Sequence, residues 1–127
     1  MKKIFIAWLG LLLLPLVFGL ASCGDGSSDS TSSSTDISAP TAPTDLLASA
    51  LTPTQISLTW TDSTDNVGVT GYKINRDNQL LTTTTATSYL DSDLTPSTNN
   101  CYNVSAYDAA GNVSLLSNQS CTATPPI

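Results

Sequence analysis

Short runs of alternating apolar and polar residues dominate the later part of the chain. Ile56, Leu58 and Trp60 alternate with serine and threonine, which is the pattern of a strand with one buried face. The same two-residue period returns in residues 72–74 and 102–106. Turn-forming residues separate the runs at intervals of roughly 8–12 residues, and no long 3.6-residue period is present. The pattern therefore predicts an all-β fold, an antiparallel β-sandwich.

The buried faces of these runs identify the predicted core. A domain of this length can bury a modest apolar core. The alternation places four residues in it, which are Trp60, Tyr72, Tyr102 and Val104.

A different pattern opens the chain. Lys2 and Lys3 precede an apolar run over residues 4–20, which ends at Ala21-Ser22-Cys23. A basic start, an apolar stretch and a small-residue cleavage site are typical of a signal peptide, here residues 1–22. A retained membrane anchor is one alternative, because the run lies at the short limit of the roughly 17–25 residues that span a bilayer. An ordinary secreted protein is another.

The cysteine at the end of this leader makes it resemble the lipobox of bacterial lipoproteins. The resemblance implies that Cys23 carries a lipid and that the leader is cut before it. It also implies a protein of the bacterial cell envelope, bound to a membrane through its N-terminal lipid. Gly24 follows in place of the aspartate that would retain such a protein at the inner membrane, which favours the outer membrane.

Residues 23–39 are rich in serine, threonine, glycine and aspartate and contain little to bury. Ordering such a segment would not recover its conformational entropy, so we expect a flexible tether. The folded domain is expected over residues 40–124, followed by a short tail at 125–127.

Charge and composition exclude several functions. The chain has 10 acidic residues against 4 basic ones, with a net charge of −6. Removal of the leader would leave only Lys73 and Arg76 as cations, so nucleic-acid binding is not expected. Histidine is absent, which leaves serine or threonine without the usual base, and Lys73 falls in the middle of a predicted strand. We expect no enzymatic activity, no cofactor and no metal.

The aspartates are assigned to turns, where they bond their own backbone. Five aspartates could supply a catalytic carboxylate pair, but each lies beside turn-forming residues and is interpreted as a turn residue. They are Asp62, Asp65, Asp91, Asp93 and Asp108. Calcium is an alternative, with oxygen ligands from Asp62, Asp65 and Asn66 in one loop and Asp108 from another.

Sugar binding is a further alternative, since carbohydrates stack on exposed aromatic rings. Trp60 is predicted to be buried, which leaves Tyr107, with Tyr89 or Tyr72, as the candidate platform.

Several motifs extend over the predicted domain. They are Pro43-x-x-Leu46, Ile56-x-Leu58-x-Trp60, Val67-Gly68-Val69-x-Gly71-Tyr72-x-Ile74, Leu94-x-Pro96, the segment from Tyr102 to Ser114, and Ser117-Asn118. Together they resemble a bacterial fibronectin type III domain, in particular those attached to chitinases and other glycoside hydrolases. The resemblance implies a seven-stranded immunoglobulin-like sandwich. Its strands are expected at about 45–50, 54–61, 69–76, 79–84, 86–90, 100–107 and 117–124.

The same resemblance implies a non-catalytic module that acts as an interaction or spacer unit, with an unknown protein or polysaccharide as partner. A carbohydrate-associated accessory module is the alternative. One departure concerns the tyrosine that this family usually places six residues after Leu94, because Asn100 occupies that position. We therefore expect this corner of the domain, where the tyrosine would bond the backbone, to be held more weakly than in other members of the family.

The remaining cysteines are expected to pair. With Cys23 lipidated, Cys101 and Cys121 form an even set, and their midpoint falls at Gly111 in a turn cluster. They therefore face each other if the last two strands form a hairpin, and such a bridge adds about 3 kcal/mol in the loop-entropy model. Free thiols are the alternative, whereas two sulfurs without histidine cannot complete a zinc site.

Overall fold

The computed structural model describes residues 34–127, and the predicted leader, Cys23 and most of the predicted tether lie outside them. Within the described part, seven strands form two antiparallel sheets. The strands are β1 (Thr44–Thr52), β2 (Gln55–Thr61), β3 (Val69–Arg76), β4 (Gln79–Thr84), β5 (Ser88–Asp91), β6 (Asn99–Asp108) and β7 (Ser120–Ala123). One sheet has the order β1-β2-β5 and the other β4-β3-β6-β7. The predicted all-β sandwich of seven antiparallel strands is confirmed.

The core lies between the two sheets. Ile56, Leu58 and Trp60 of β2 face the alternating buried positions of β3 and β6. The four residues predicted as core are buried there, Tyr102 and Val104 completely. Trp60 and Tyr72 meet edge to face, with ring centroids 5.5 Å apart, a preferred aromatic geometry.

The last strand is shorter than predicted. The sequence places it at 117–124, whereas β7 covers Ser120–Ala123. Before it, the chain runs along β6, where the backbone amides of Ser114 and Ser117 donate to β6 carbonyls and their hydroxyls accept from β6 amides. The amide of Ala106 donates to Ser114 Oγ at 2.8 Å, and that of Val104 donates to Ser117 Oγ at 3.0 Å. These hydroxyls take the place of backbone carbonyls, so no regular ladder forms.

The corner with Asn100 is closed by a threonine near the C-terminus. Asn100 is buried, and its amide donates to the carbonyl of Thr98 at 3.1 Å. Thr124 Oγ1 accepts a hydrogen bond from the amide of Thr98 and donates to the carbonyl of Thr95. Thr124 therefore supplies hydrogen bonds at the corner where the usual tyrosine is missing.

The chain enters and leaves the sandwich at opposite ends. Thr44 at the start of β1 pairs with Thr61 at the end of β2, so the β2–β3 loop (62–68) shares the entry end. Asn99 at the start of β6 pairs with Ala123, which places the C-terminal segment at the other end.

A membrane-crossing helix, long and apolar enough to span a bilayer, is not found among residues 34–127.

Candidate functional site

A buried polar network joins the two sheets. Arg76 on β3 donates from Nη1 to both carboxylate oxygens of Asp91 on β5, at 3.0 and 2.8 Å. Tyr102 on β6 donates its hydroxyl to Asp91 Oδ2 at 2.7 Å. Asp91 is 2% exposed and its carboxylate accepts from these two side chains, so the prediction that it bonds its own backbone in a turn is wrong. A buried carboxylate needs a cation and donors of this kind, and its two partners come from the opposite sheet.

This network raises the pKa values of Tyr102 and Arg76. Burial, and then the hydrogen bond to Asp91, raise the pKa of the Tyr102 phenol well above its ordinary value. The hydrogen bond to Asp91 likewise raises the pKa of the Arg76 guanidinium, against the effect of its partial burial. The three groups therefore form a fixed arrangement with one positive and one negative charge, which suits a structural role.

A disulfide and side-chain hydrogen bonds close the edge of the sandwich at β7. Cys101 and Cys121 are paired residues of β6 and β7 and are joined by a disulfide, the pairing that the sequence predicted. Asn118 accepts from the amide of Leu46 at 3.0 Å and donates to its carbonyl at 2.9 Å. The edge of β1 is thereby bonded to the chain just before β7, although the two belong to different sheets.

Tyr107 is the candidate sugar platform that lies partly exposed on the outer face of β6. Its hydroxyl would lie 2.7 Å from a Cβ built on Gly71, and the Lys73 ammonium lies 5.8 Å from its ring centroid. Gly71 is therefore required so that the ring can lie flat on the sheet. Tyr72 is buried, which excludes it as a platform, and Tyr89 packs partly against the core.

A cavity of about 390 Å³ opens beside the β2–β3 loop and is lined in part by Asp62, Ser63 and Tyr72. The Tyr72 hydroxyl donates to Asp62 Oδ1 at 3.0 Å and accepts from the amide of Ser63 at 3.1 Å. Burial, offset by the amide of Ser63 and reinforced by Asp62, raises the pKa of this phenol. The Tyr72 hydroxyl, the Asp62 carboxylate and the Ser63 backbone amide are thus bonded to one another, which is a structural arrangement. Within residues 34–127, the buried Ser63 Oγ has no hydrogen-bond partner.

Three carboxylates meet at the entry end of the sandwich. Asp36, Asp65 and Asp108 each offer one oxygen, and these oxygens all lie within 4.8 Å of one another. We call this set the acidic cluster. Two of its members were candidate calcium ligands in the sequence, whereas Asp62 is engaged by Tyr72 instead. The third member, Asp36, was missed because it lies in the predicted tether.

Asp36 is held against the domain by two asparagines. Asn66 donates to Asp36 Oδ1 at 3.1 Å, and Asn112 donates to the Asp36 carbonyl at 3.0 Å. The domain boundary at residue 40 stays a prediction, but contacts with the domain already begin at Asp36.

Asp65 and Asp108 also have the turn role that the sequence assigned to them. Asp65 Oδ2 accepts from the amides of Val67 and Gly68, and Asp108 accepts from the amide and the side chain of Asn112. Burial alone would raise the pKa of Asp108, but these hydrogen bonds hold it below its ordinary value. Asp108 therefore carries its negative charge at neutral pH.

Comparison with known proteins connects this fold with modules of carbohydrate-active enzymes. The chain is 52% identical over 83 residues to Chitinase A1 of Niallia circulans, a match that covers 65% of this chain and 12% of that protein. It is 49% identical over 82 residues to Exoglucanase B of Cellulomonas fimi, with 65% and 8% covered. The chain thus spans only a small part of the length of these relatives.

Solved structures agree with the architecture. Chitinase ChiA74 from Bacillus thuringiensis superposes with a TM-score of 0.65 at 33% identity, which covers 71% of this chain and 14% of that one. The structure named FN3tt superposes with a TM-score of 0.62 at 19% identity over 70% and 98% of the two chains, a likeness of fold. The model of the fibronectin type III domain matches residues 41–122. With this match and the observed sheet order, the chain belongs to the fibronectin type III domain family.

Proposed function

We propose that this chain is a non-catalytic protein of a bacterial cell envelope, held to a membrane by a lipid on Cys23. It displays one fibronectin type III domain as a spacer or interaction module. The observation that carries the spacer role is that the chain enters the sandwich at Thr44 and leaves it after Ala123 at opposite ends. A module of this geometry sets the distance between whatever precedes it and whatever follows or binds it.

The side chains of the described part support a structural interpretation of its polar groups. Asp91 is paired with Arg76, and Asp62 accepts from Tyr72. The chain has no histidine that could activate a hydroxyl nucleophile. The polar groups that could have formed a reactive pair are thus bonded in ways that join strands and loops.

Lipid attachment is tested by growing bacteria that express the full chain with labelled palmitate. The label should enter the wild-type protein and Ser22→Ala, which keeps a small residue before the cysteine. It should be lost from Cys23→Ala, which removes the sulfur. Label in Cys23→Ala, or none in the wild type, would contradict the anchor.

The membrane in which the protein resides is identified by separating the inner and outer membranes of the same cells. Gly24 follows the lipidated cysteine, so the wild-type protein should appear in the outer-membrane fraction. Gly24→Asp should move it to the inner membrane. Equal distribution of the two proteins would contradict the sorting role of this position.

A second candidate function is that of an accessory module for polysaccharide. It is favoured by the identity with parts of proteins named as chitinases and an exoglucanase. In this role Tyr107 would contact the sugar chain from the outer face of β6. Co-sedimentation with insoluble chitin and cellulose separates the two candidates. Retention that Tyr107→Ala abolishes and Ser88→Ala, at an exposed position, preserves favours the accessory role, whereas recovery of the wild type in the supernatant favours the spacer.

A further inference from the structure

The acidic cluster brings together carboxylates from three separate parts of the chain. Asp36 precedes β1, Asp65 lies in the β2–β3 loop, and Asp108 ends β6. Like charges at this separation repel each other, and burial strengthens the repulsion. Asp108 is 3% exposed, so water screens little of its charge, whereas Asp36 and Asp65 are half-buried. A positive charge beside the three carboxylates would relieve this repulsion.

The chain supplies no cation to this cluster from its described part. The basic residues of residues 34–127 are Lys73 and Arg76. The Lys73 ammonium lies over the ring of Tyr107, and Arg76 is paired with Asp91. The groups that donate to the cluster within residues 34–127 are neutral. They are the side-chain amides of Asn66 and Asn112 and the backbone amides of residues 38, 67, 68 and 112.

Two of the carboxylate oxygens are buried and accept no hydrogen bond from residues 34–127. Asp36 uses Oδ1 to accept from Asn66 and from the amide of Ser38, whereas its Oδ2 has no partner in this described part. Asp65 uses Oδ2 for its turn, whereas its Oδ1 likewise has no partner there. A buried carboxylate oxygen without a donor is costly, and here two such oxygens belong to one cluster. These two unpartnered oxygens are evidence for a positively charged ligand.

We propose that the acidic cluster binds a calcium ion. All available ligand atoms are hard oxygens, since histidine is absent and Cys101 and Cys121 form a disulfide, which disfavours zinc and copper. Calcium accepts six to eight oxygens in irregular geometry, whereas magnesium demands a near-ideal octahedron. Three carboxylates from unrelated segments, completed by water, fit calcium better.

The ion would fasten the predicted tether to the domain. Asp36 lies ahead of the first strand, whereas Asp65 and Asp108 belong to the loop and strand end that form the entry face. Binding therefore fixes the direction in which the preceding segment leaves the domain. The affinity expected for calcium sites of extracellular modules is a Kd of about 10⁻⁴ to 10⁻³ M.

Calcium titration of the purified full chain, after treatment with EDTA, tests this proposal. We expect saturable heat in calorimetry and a saturable rise in Tm, with a Kd in the range given above. Asp36→Asn should weaken binding by at least about tenfold, because it removes one charged ligand. Asp93→Asn is the matched control, since Asp93 is exposed and lies outside the cluster.

A measurement without calcium separates a metal ligand from a structural residue. In EDTA, Asp36→Asn should have a Tm equal to or above that of the wild type, because it relieves repulsion. A lower Tm would show that Asp36 acts as a structural hydrogen-bond acceptor and would overturn the proposal. So would an absence of heat at 10-fold the expected Kd, an equal response to magnesium, or equal calcium affinity of the two variants.

Discussion

Asp91 shows how much of the fold depends on a single buried charge. It contacts a guanidinium and a phenol from the opposite sheet, at distances of 3.0 Å or less. In the sequence it is followed by serine and a second aspartate, which is typical of a turn. Local pattern could not separate it from Asp93, because its partners Arg76 and Tyr102 are distant along the chain.

Asp91→Asn should destabilise the domain by about 3 kcal/mol, the lower end of the range for breaking a buried pair. The lower end applies because the Arg76 side chain is 32% exposed and stays partly hydrated. Urea unfolding measures the effect. Asp93→Asn, at an exposed position, should stay within about 0.5 kcal/mol of the wild type. Equal stability of the two variants would refute the structural importance of the network.

Tyr102 makes the stability of the domain sensitive to alkaline pH. Its pKa is raised in the folded state, so the folded protein retains the phenol proton that the unfolded chain releases above about pH 10. Its contribution is fully present below that pH and decreases as the pH rises above it. Tyr102→Phe should therefore show a smaller loss of stability between pH 9 and 11 than the wild type or Tyr89→Phe. Parallel pH profiles of all three proteins would contradict this role.

At the scale of elements, the segment before β7 depends on serine hydroxyls. Ser117 Oγ accepts a hydrogen bond from the amide of Val104, a residue with no exposed surface. Ser117→Ala would leave that amide without an acceptor and should cost about 1–3 kcal/mol in urea unfolding. Ser88→Ala, at an exposed position of β5, is the control and should have little effect. A loss no larger than that of the control would show that water replaces the hydroxyl.

The sequence predicted strand positions well where one face of the strand packs on the core. Strand β3 was predicted with the bounds that it has, and β2 to within one residue, because one face of each packs on the core. The last strand was predicted too long because Ser114 and Ser117 bond β6 through their side chains, which a period-two pattern does not reveal.

At the scale of the whole molecule, the sequence identified the family and the disulfide pair but only part of the acidic cluster. The family motifs extend over most of the domain, and Cys101 and Cys121 lie symmetrically about a turn. Asp36, in contrast, lies in a Ser/Thr-rich segment with nothing apolar to position it. Its place against the domain depends on Asn66 and Asn112, which are distant in sequence.

We propose a disulfide-closed sandwich that a lipid on Cys23 attaches to a membrane. Intact mass spectrometry without reductant, on protein purified from bacterial membranes, tests both parts together. We predict the mass of residues 23–127 increased by acyl chains and decreased by the hydrogens lost to a Cys101–Cys121 bond. The unmodified mass of residues 1–127, with both thiols open to alkylation, would contradict the account.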